Sequence, residues 1–239
     1  NRTKFKNRRF LAIKIKVCDA IMGAGKSSAA INYMNEGEDN YIYLTPYLDE
    51  VDRIQQACSK KDFVAPENKG AGKLENLHKL LREKKNVVST HALFSAYNET
   101  TTDLIVEGNY VLILDEVFNV LEKVNISPAD IKVMFDSKLA CMGEDGEHVK
   151  WLKDDYDGTK FADVMRKAKS NNLIFYKNLM VFWSFPIEIF KSFKEIIVLT
   201  YLFDAQVQKY YYDLNSADIE YIGVAYEDGK YMFTDTENI

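Results

Sequence analysis

AIMGAGKSS, residues 20–28, follows an apolar β-branched run at 11–18 and opens a helical pattern at 26–36. A strand, a glycine-rich turn and a helix start in that order present backbone N–H groups and the positive end of a helix to one point in space, an arrangement suited to phosphate oxygens. The spacing is that of a P-loop, with Ala20 in place of its first glycine. Met22, Gly23, Ala24, Gly25, Lys26, Ser27 and Ser28 are therefore expected to wrap ATP. Lys26 would bridge the β and γ phosphates, and the Ser27 hydroxyl would ligate Mg²⁺.

A second segment supports the first. LILDEV, residues 112–117, delivers Asp115 and Glu116 to the carboxyl end of an apolar strand. That is where ligands bind in open α/β sheets. Asp115 is expected to hold Mg²⁺ through water, and Glu116 to orient or deprotonate the attacking water. Lys26 and Glu116 are thus the expected catalytic pair.

The rest of the chain alternates short apolar runs with helical patterns, the mark of a mainly parallel sheet flanked by helices. Strands are predicted at 11–18, 41–45, 86–90, 110–115, 179–184 and 195–200, and helices near 26–36, 47–60, 91–97, 187–193 and 204–213. The fold expected is α/β, a RecA-like P-loop NTPase domain over 11–213. Around 127–178 the sequence turns charged and glycine-containing, as in MGEDGEH, which reads as an insertion. Residues 214–239 read as a hairpin about Glu227-Asp228-Gly229, or as a junction to a further domain.

Charge is uneven although the net value is only −5. A basic arm at 1–10, with Arg2, Lys4, Lys6, Arg8 and Arg9, is suited to phosphates by counterion release and equally to a solvated chain end. Cys18, Cys58 and Cys141 are too dispersed for a disulfide framework or a structural zinc site, which points to a reducing, cytoplasmic setting. The most apolar stretch, 179–190, contains Pro186 and falls short of the roughly 20 residues that span a bilayer, so no membrane partner is expected. The chain starts at Asn1 rather than methionine, as a piece of a longer polypeptide would.

MGAGKSS followed by the Asp115-Glu116 pair resembles the superfamily 2 helicases, in particular the phage and viral origin-binding type. YIYLTPYLDEVDRI (41–54) resembles motif Ia of that family, VVSTHALF (87–94) resembles motif Ib, and IIVLTYLF (196–203) sits where motif III follows its strand. The resemblance implies ATP and Mg²⁺ as cofactors and DNA as partner. It implies nucleic-acid contacts at Thr45, Pro46, Thr90 and His91, and coupling of the two sites through Thr200. The segment after Glu116 reads Val117-Phe118 where the family carries a histidine, and no arginine follows Arg166. The arginine finger is therefore expected from a second motor lobe or a partner subunit. The aromatic group Tyr201, Phe203, Tyr210, Tyr211 and Tyr212 has base-stacking chemistry, but its helical spacing favours core packing.

Two other readings share these motifs. A nucleoside kinase of the thymidine kinase type has a similar loop and acidic pair, but needs a zinc-binding cysteine set that three dispersed cysteines do not supply. A regulatory or DNA-binding module that holds ATP without turning it over needs no second lobe.

Overall fold

A computed structural model describes residues 13–68, 70, 72–169, 172–177 and 180–235. The basic arm lies outside the described residues. The chain divides into two compact units, one comprising the residues up to Phe118 together with those from Ile187 onward, the other Asn119–Pro186.

The larger unit begins with β1 (Lys14–Asp19), α1 (Lys26–Glu36), β2 (Asn40–Thr45), α2 (Leu48–Ala57), α3 (Lys73–Arg82), β3 (Val87–Thr90), α4 (His91–Phe94), α5 (Glu99–Gly108) and β4 (Tyr110–Asp115). The smaller unit holds β5 (Leu121–Lys123), α6 (Pro128–Asp136), β6 (Ala140–Met142), β7 (Val149–Trp151), α7 (Ala162–Lys169), β8 (Leu173–Tyr176) and β9 (Met180–Ser184). The chain then returns to the larger unit with α8 (Ile187–Lys191), β10 (Glu195–Thr200), α9 (Val207–Leu214), β11 (Asp218–Glu227) and β12 (Lys230–Thr234).

The larger unit is a mixed α/β fold on a seven-stranded sheet of order β12-β11-β1-β10-β4-β2-β3. Every neighbouring pair is parallel except β11 with β12. Central strands covered on both faces need side chains that are apolar on both. Val111, Leu112, Ile113 and Leu114 accordingly have no exposed surface. Helices α3 and α5, which the apolar spacing did not single out, are joined by a hydrogen bond between His78 Nε2 and Thr101 Oγ1 at 2.8 Å. Asn98 and Thr101 form a reciprocal capping box at the start of α5, and Asn109 closes the helix in the left-handed region at φ 52°.

The last hairpin extends the main sheet. β11 runs parallel to β1 in the register Val17↔Tyr221, and β12 packs against α1.

The strand predicted at 179–184 for the main sheet is β9 (Met180–Ser184) and lies elsewhere. It is the middle strand of an antiparallel sheet β5-β9-β8 in the smaller unit. That unit spans 119–186, wider than the charged stretch at 127–178. It carries its own core, formed by Val124, Ile131, Met134, Val149, Phe161, Val164, Leu173 and Val181. A second ladder, β6 with β7, is tied to β8 by the Phe175 N–H, which donates to the Glu147 carbonyl at 2.8 Å. The apolar residues of 180–184 have the composition of a parallel core strand, and composition does not distinguish one sheet from another.

Candidate nucleotide site

The loop between β1 and α1 lies at the carboxyl end of β1, as its sequence requires. Gly23 and Gly25 adopt φ 82° and 91°, a region that residues with a Cβ enter at a cost. No side chain caps α1, so the N–H groups of its first turn, at Lys26, Ser27 and Ser28, remain available to an anion. A Cβ on Gly25 would lie 2.2 Å from the Tyr231 ring, so β12 is pressed against the loop from the α1 side. Lys26 is buried, and its Nζ donates to the carbonyls of Ala20 and, at 3.1 Å, Ile21. The ammonium thus occupies its own loop's acceptors, where a phosphate would compete for it. Ser27 and Ser28 are half-buried, and Met22 is exposed.

Asp115 ends β4. Burial pushes its carboxyl up to about 6, with smaller contributions from Glu116 and Glu50. The Tyr43 hydroxyl faces it and opposes the shift, although that hydroxyl makes no hydrogen bond of normal geometry. Glu116 is exposed and sits at φ 65°.

Between β1 and β4 runs β10, which ends at Thr200. The Thr200 carbonyl accepts from the Ala20 N–H at 3.1 Å, and the preceding Leu199 carbonyl accepts from the Glu116 N–H at 2.9 Å. One strand end therefore holds both motifs. The Thr200 hydroxyl is buried and has no hydrogen-bond partner. A buried hydroxyl left unpaired costs about 1–3 kcal/mol.

Asp19 belongs to this site and no sequence signal marked it. Its two carboxylate oxygens accept from the N–H groups of Leu202 and Phe203, each at 2.8 Å, which ties the end of β1 to the turn after β10.

The four residues implied as nucleic-acid contacts gather at the carboxyl ends of β2 and β3. Thr45 and Thr90 are register partners. Both are buried, and the Thr45 hydroxyl accepts from the Tyr47 N–H at 3.3 Å. Surface at this edge comes from Pro46, Tyr47 and Leu48. His91 packs edge-on against Phe118, with the Asp115 backbone near its ring. Burial lowers its pKa to about 4, so the ring is neutral near pH 7. The aromatic group after β10 splits: Phe203, Tyr211 and Tyr212 are core, whereas Tyr201 and Tyr210 are exposed.

The residues fit a magnesium nucleotide. Ser27 and Asp115 are hard oxygen donors of the kind Mg²⁺ takes, and the space beside Gly23 is open. Among the described residues no group of three or more His, Cys, Asp or Glu is placed to hold a metal. Cys18, Cys58 and Cys141 are free thiols. Among the described residues no helix is long and apolar enough to cross a membrane.

Comparison with known proteins adds kinship. Residues 121–183 match the family described as YonV middle domain, a span that falls within the smaller unit. The chain is 43% identical over 230 residues to the SPbeta prophage-derived uncharacterized protein YonV of Bacillus subtilis (strain 168), a match covering 91% of this chain. The chain spans only 56% of the length of that relative.

Proposed function

We propose that this chain is the ATP-binding lobe of an ATP-dependent nucleic-acid motor, a DNA helicase of prophage replication working in the bacterial cytoplasm, with a RecA-like P-loop domain as its larger unit. The carrying observation is the strand order β1-β10-β4, which sets the phosphate loop and the Asp115-Glu116 pair on strands separated by one. Second-neighbour strands stand about 10 Å apart, room for phosphates and a metal between Ser27 and Asp115.

In this reading the first-turn N–H groups of α1 grip the phosphates, and Lys26 exchanges the carbonyls of Ala20 and Ile21 for phosphate oxygens. Bound Mg²⁺ supplies charge neutralisation at the phosphates. Glu116, which is exposed, would orient water and accept its proton. Thr200, bonded to the phosphate loop through its carbonyl, is suited to sense the nucleotide with its free hydroxyl. DNA would lie along the carboxyl ends of β2 and β3, at Pro46 and the backbone around Thr45, Thr90 and His91.

The family resemblance implies a finger supplied from elsewhere, although Arg53 lies close enough to Asp115 to lower its pKa. Arg53, Arg82 and Arg166 are each paired with a nearby carboxylate, Glu50, Glu75 and Asp163. Hydrolysis by this chain alone is therefore expected to be slow, because such a finger is worth about 10³–10⁵ in rate. The relative is prophage-derived, which supports a phage setting, and its remaining length is where a second lobe is to be sought.

Calorimetry with Mg-ATP tests the nucleotide half: the wild type should bind and Lys26→Ala should not. Forked DNA should then stimulate turnover, and its binding should weaken steeply between about 50 and 200 mM salt. Equal affinity in wild type and Lys26→Ala ends the P-loop reading. ATP binding without any response to DNA makes a nucleotide-holding regulatory module the better description.

A further inference from the structure

Beside the phosphate loop lies an open cleft of about 1000 Å³, lined by Asp19 and apolar residues of the loop, by Tyr201 and Asp204 from the turn after β10, and by Tyr221, Ile222 and Val224 from β11. Its volume lies at the upper end of the range of small-ligand sites, about 300–1000 Å³.

The chemistry of the walls is selective. Among the described residues no lysine or arginine lines the cleft, so these walls offer no cation to a phosphate. Apolar floor residues and the half-exposed ring of Tyr201 suit a flat heteroaromatic face. The two acids differ in availability. Both oxygens of Asp19 are used by backbone N–H groups. Asp204 is exposed, and one of its oxygens accepts from the Tyr221 hydroxyl, which leaves the other for a donor in the cleft.

Sheet order decides which end of a nucleotide would face this way. The strand bearing Asp115 lies on the β10 side of β1, whereas β11 lies on the opposite side. A triphosphate whose terminal end points to Asp115 directs its sugar and base toward β11.

We propose that this cleft holds the nucleoside of the bound nucleotide, with Asp204 accepting from ribose hydroxyls and Tyr201 lying against the base. The inference rests on the phosphate-loop reading and adds the residues that distinguish a ribonucleotide from bare polyphosphate. Carboxylates are apt acceptors for ribose hydroxyls because a charged acceptor strengthens each bond. Tyr221 positions Asp204 through the hydroxyl it donates.

The test is a set of affinities measured on the full chain with magnesium present: ATP, 2′,3′-dideoxy-ATP and inorganic tripolyphosphate, against wild type, Asp204→Ala and Tyr201→Ala. Both substituted residues are exposed, and melting temperatures check that the variants fold. Wild type should prefer ATP to dideoxy-ATP about tenfold, and Asp204→Ala should erase that preference while leaving tripolyphosphate binding unchanged. Tyr201→Ala should weaken both nucleotides and spare tripolyphosphate. Retention of the ribose preference in Asp204→Ala, or ATP binding no tighter than tripolyphosphate in wild type, overturns the cleft assignment while leaving the phosphate loop standing. Failure of wild type to bind any of the three ligands overturns the phosphate-loop reading, and this inference with it.

Discussion

The backbone N–H of Glu116 donates to the Leu199 carbonyl at 2.9 Å, and with that bond made Glu116 sits in the left-handed region at φ 65°. Residues with a Cβ enter that region at a cost of about 1–3 kcal/mol, which persists where the surroundings over-determine the backbone. Here the surroundings are β10 and β4, paired in the register Leu199↔Asp115. Glu116→Val should lower stability by about 1–2 kcal/mol, because a β-branched side chain is worst suited to this conformation, whereas Glu116→Gly should not. Chemical melts of the two variants check this, and equal losses would remove the strain argument.

Asp115 has a pH signature with a definite sign. Its folded pKa is raised by burial to about 6, above the roughly 3.9 of a free aspartate, so the folded chain binds the proton more tightly than the unfolded one. The corresponding stabilisation is present below pH 4 and is lost as pH rises through 6. Asp115→Asn should therefore raise the melting temperature at pH 7.5 by a few degrees and leave it nearly unchanged at pH 4. The same substitution should abolish magnesium-dependent nucleotide binding. In the wild type, nucleotide affinity should fall as pH drops below about 6, because metal ligation needs the carboxylate. A wild-type melting curve equal to that of Asp115→Asn at pH 7.5 would contradict this account.

Gly25 and Tyr231 form a coupled pair. A methyl at Gly25 would meet the Tyr231 ring at 2.2 Å, and the position also requires φ 91°. Gly25→Ala should destabilise the larger unit by about 2 kcal/mol or more. Adding Tyr231→Ala should recover the steric part and not the backbone part, so the double-mutant cycle should show coupling of roughly 1 kcal/mol. Strict additivity would place Tyr231 away from the loop.

The smaller unit can be followed by itself, since Trp151 and Trp183 are the two tryptophans of the chain and both lie in it. Asp145 closes its β6–β7 turn, accepting from the N–H groups of Glu147 and His148, each at 2.9 Å, and from the His148 ring at 2.8 Å. Those bonds lower its pKa to about 2. Its contribution is thus present above pH 4 and lost as pH falls through 2. Asp145→Ala should lower the urea midpoint read by tryptophan fluorescence at pH 7, with the difference from wild type shrinking between pH 4 and pH 2. An unchanged midpoint at pH 7 would show that the turn bonds add nothing.

Local chemistry was legible from residue order alone. The glycines at 23 and 25, the helix start at Lys26, the buried run 111–114 and the acids that end it are each settled within a few residues. Periodicity, turn preference and helix-end polarity act over that range. Residue order did not reveal which strand lies beside which. That β10 separates β1 from β4, that 180–184 joins an antiparallel sheet in the smaller unit, and that β11 pairs with β1 depend on burial between segments far apart in the chain. Asp19 meets Leu202 across 183 positions, and Tyr221 meets Asp204 only once β11 has docked on β1. Sequence placed a glycine-rich loop before a helix and an acidic pair after a strand. Only the tertiary structure set them on strands one apart and opened a cleft beside them, because strand pairing is a contest among similar apolar runs that long-range packing decides.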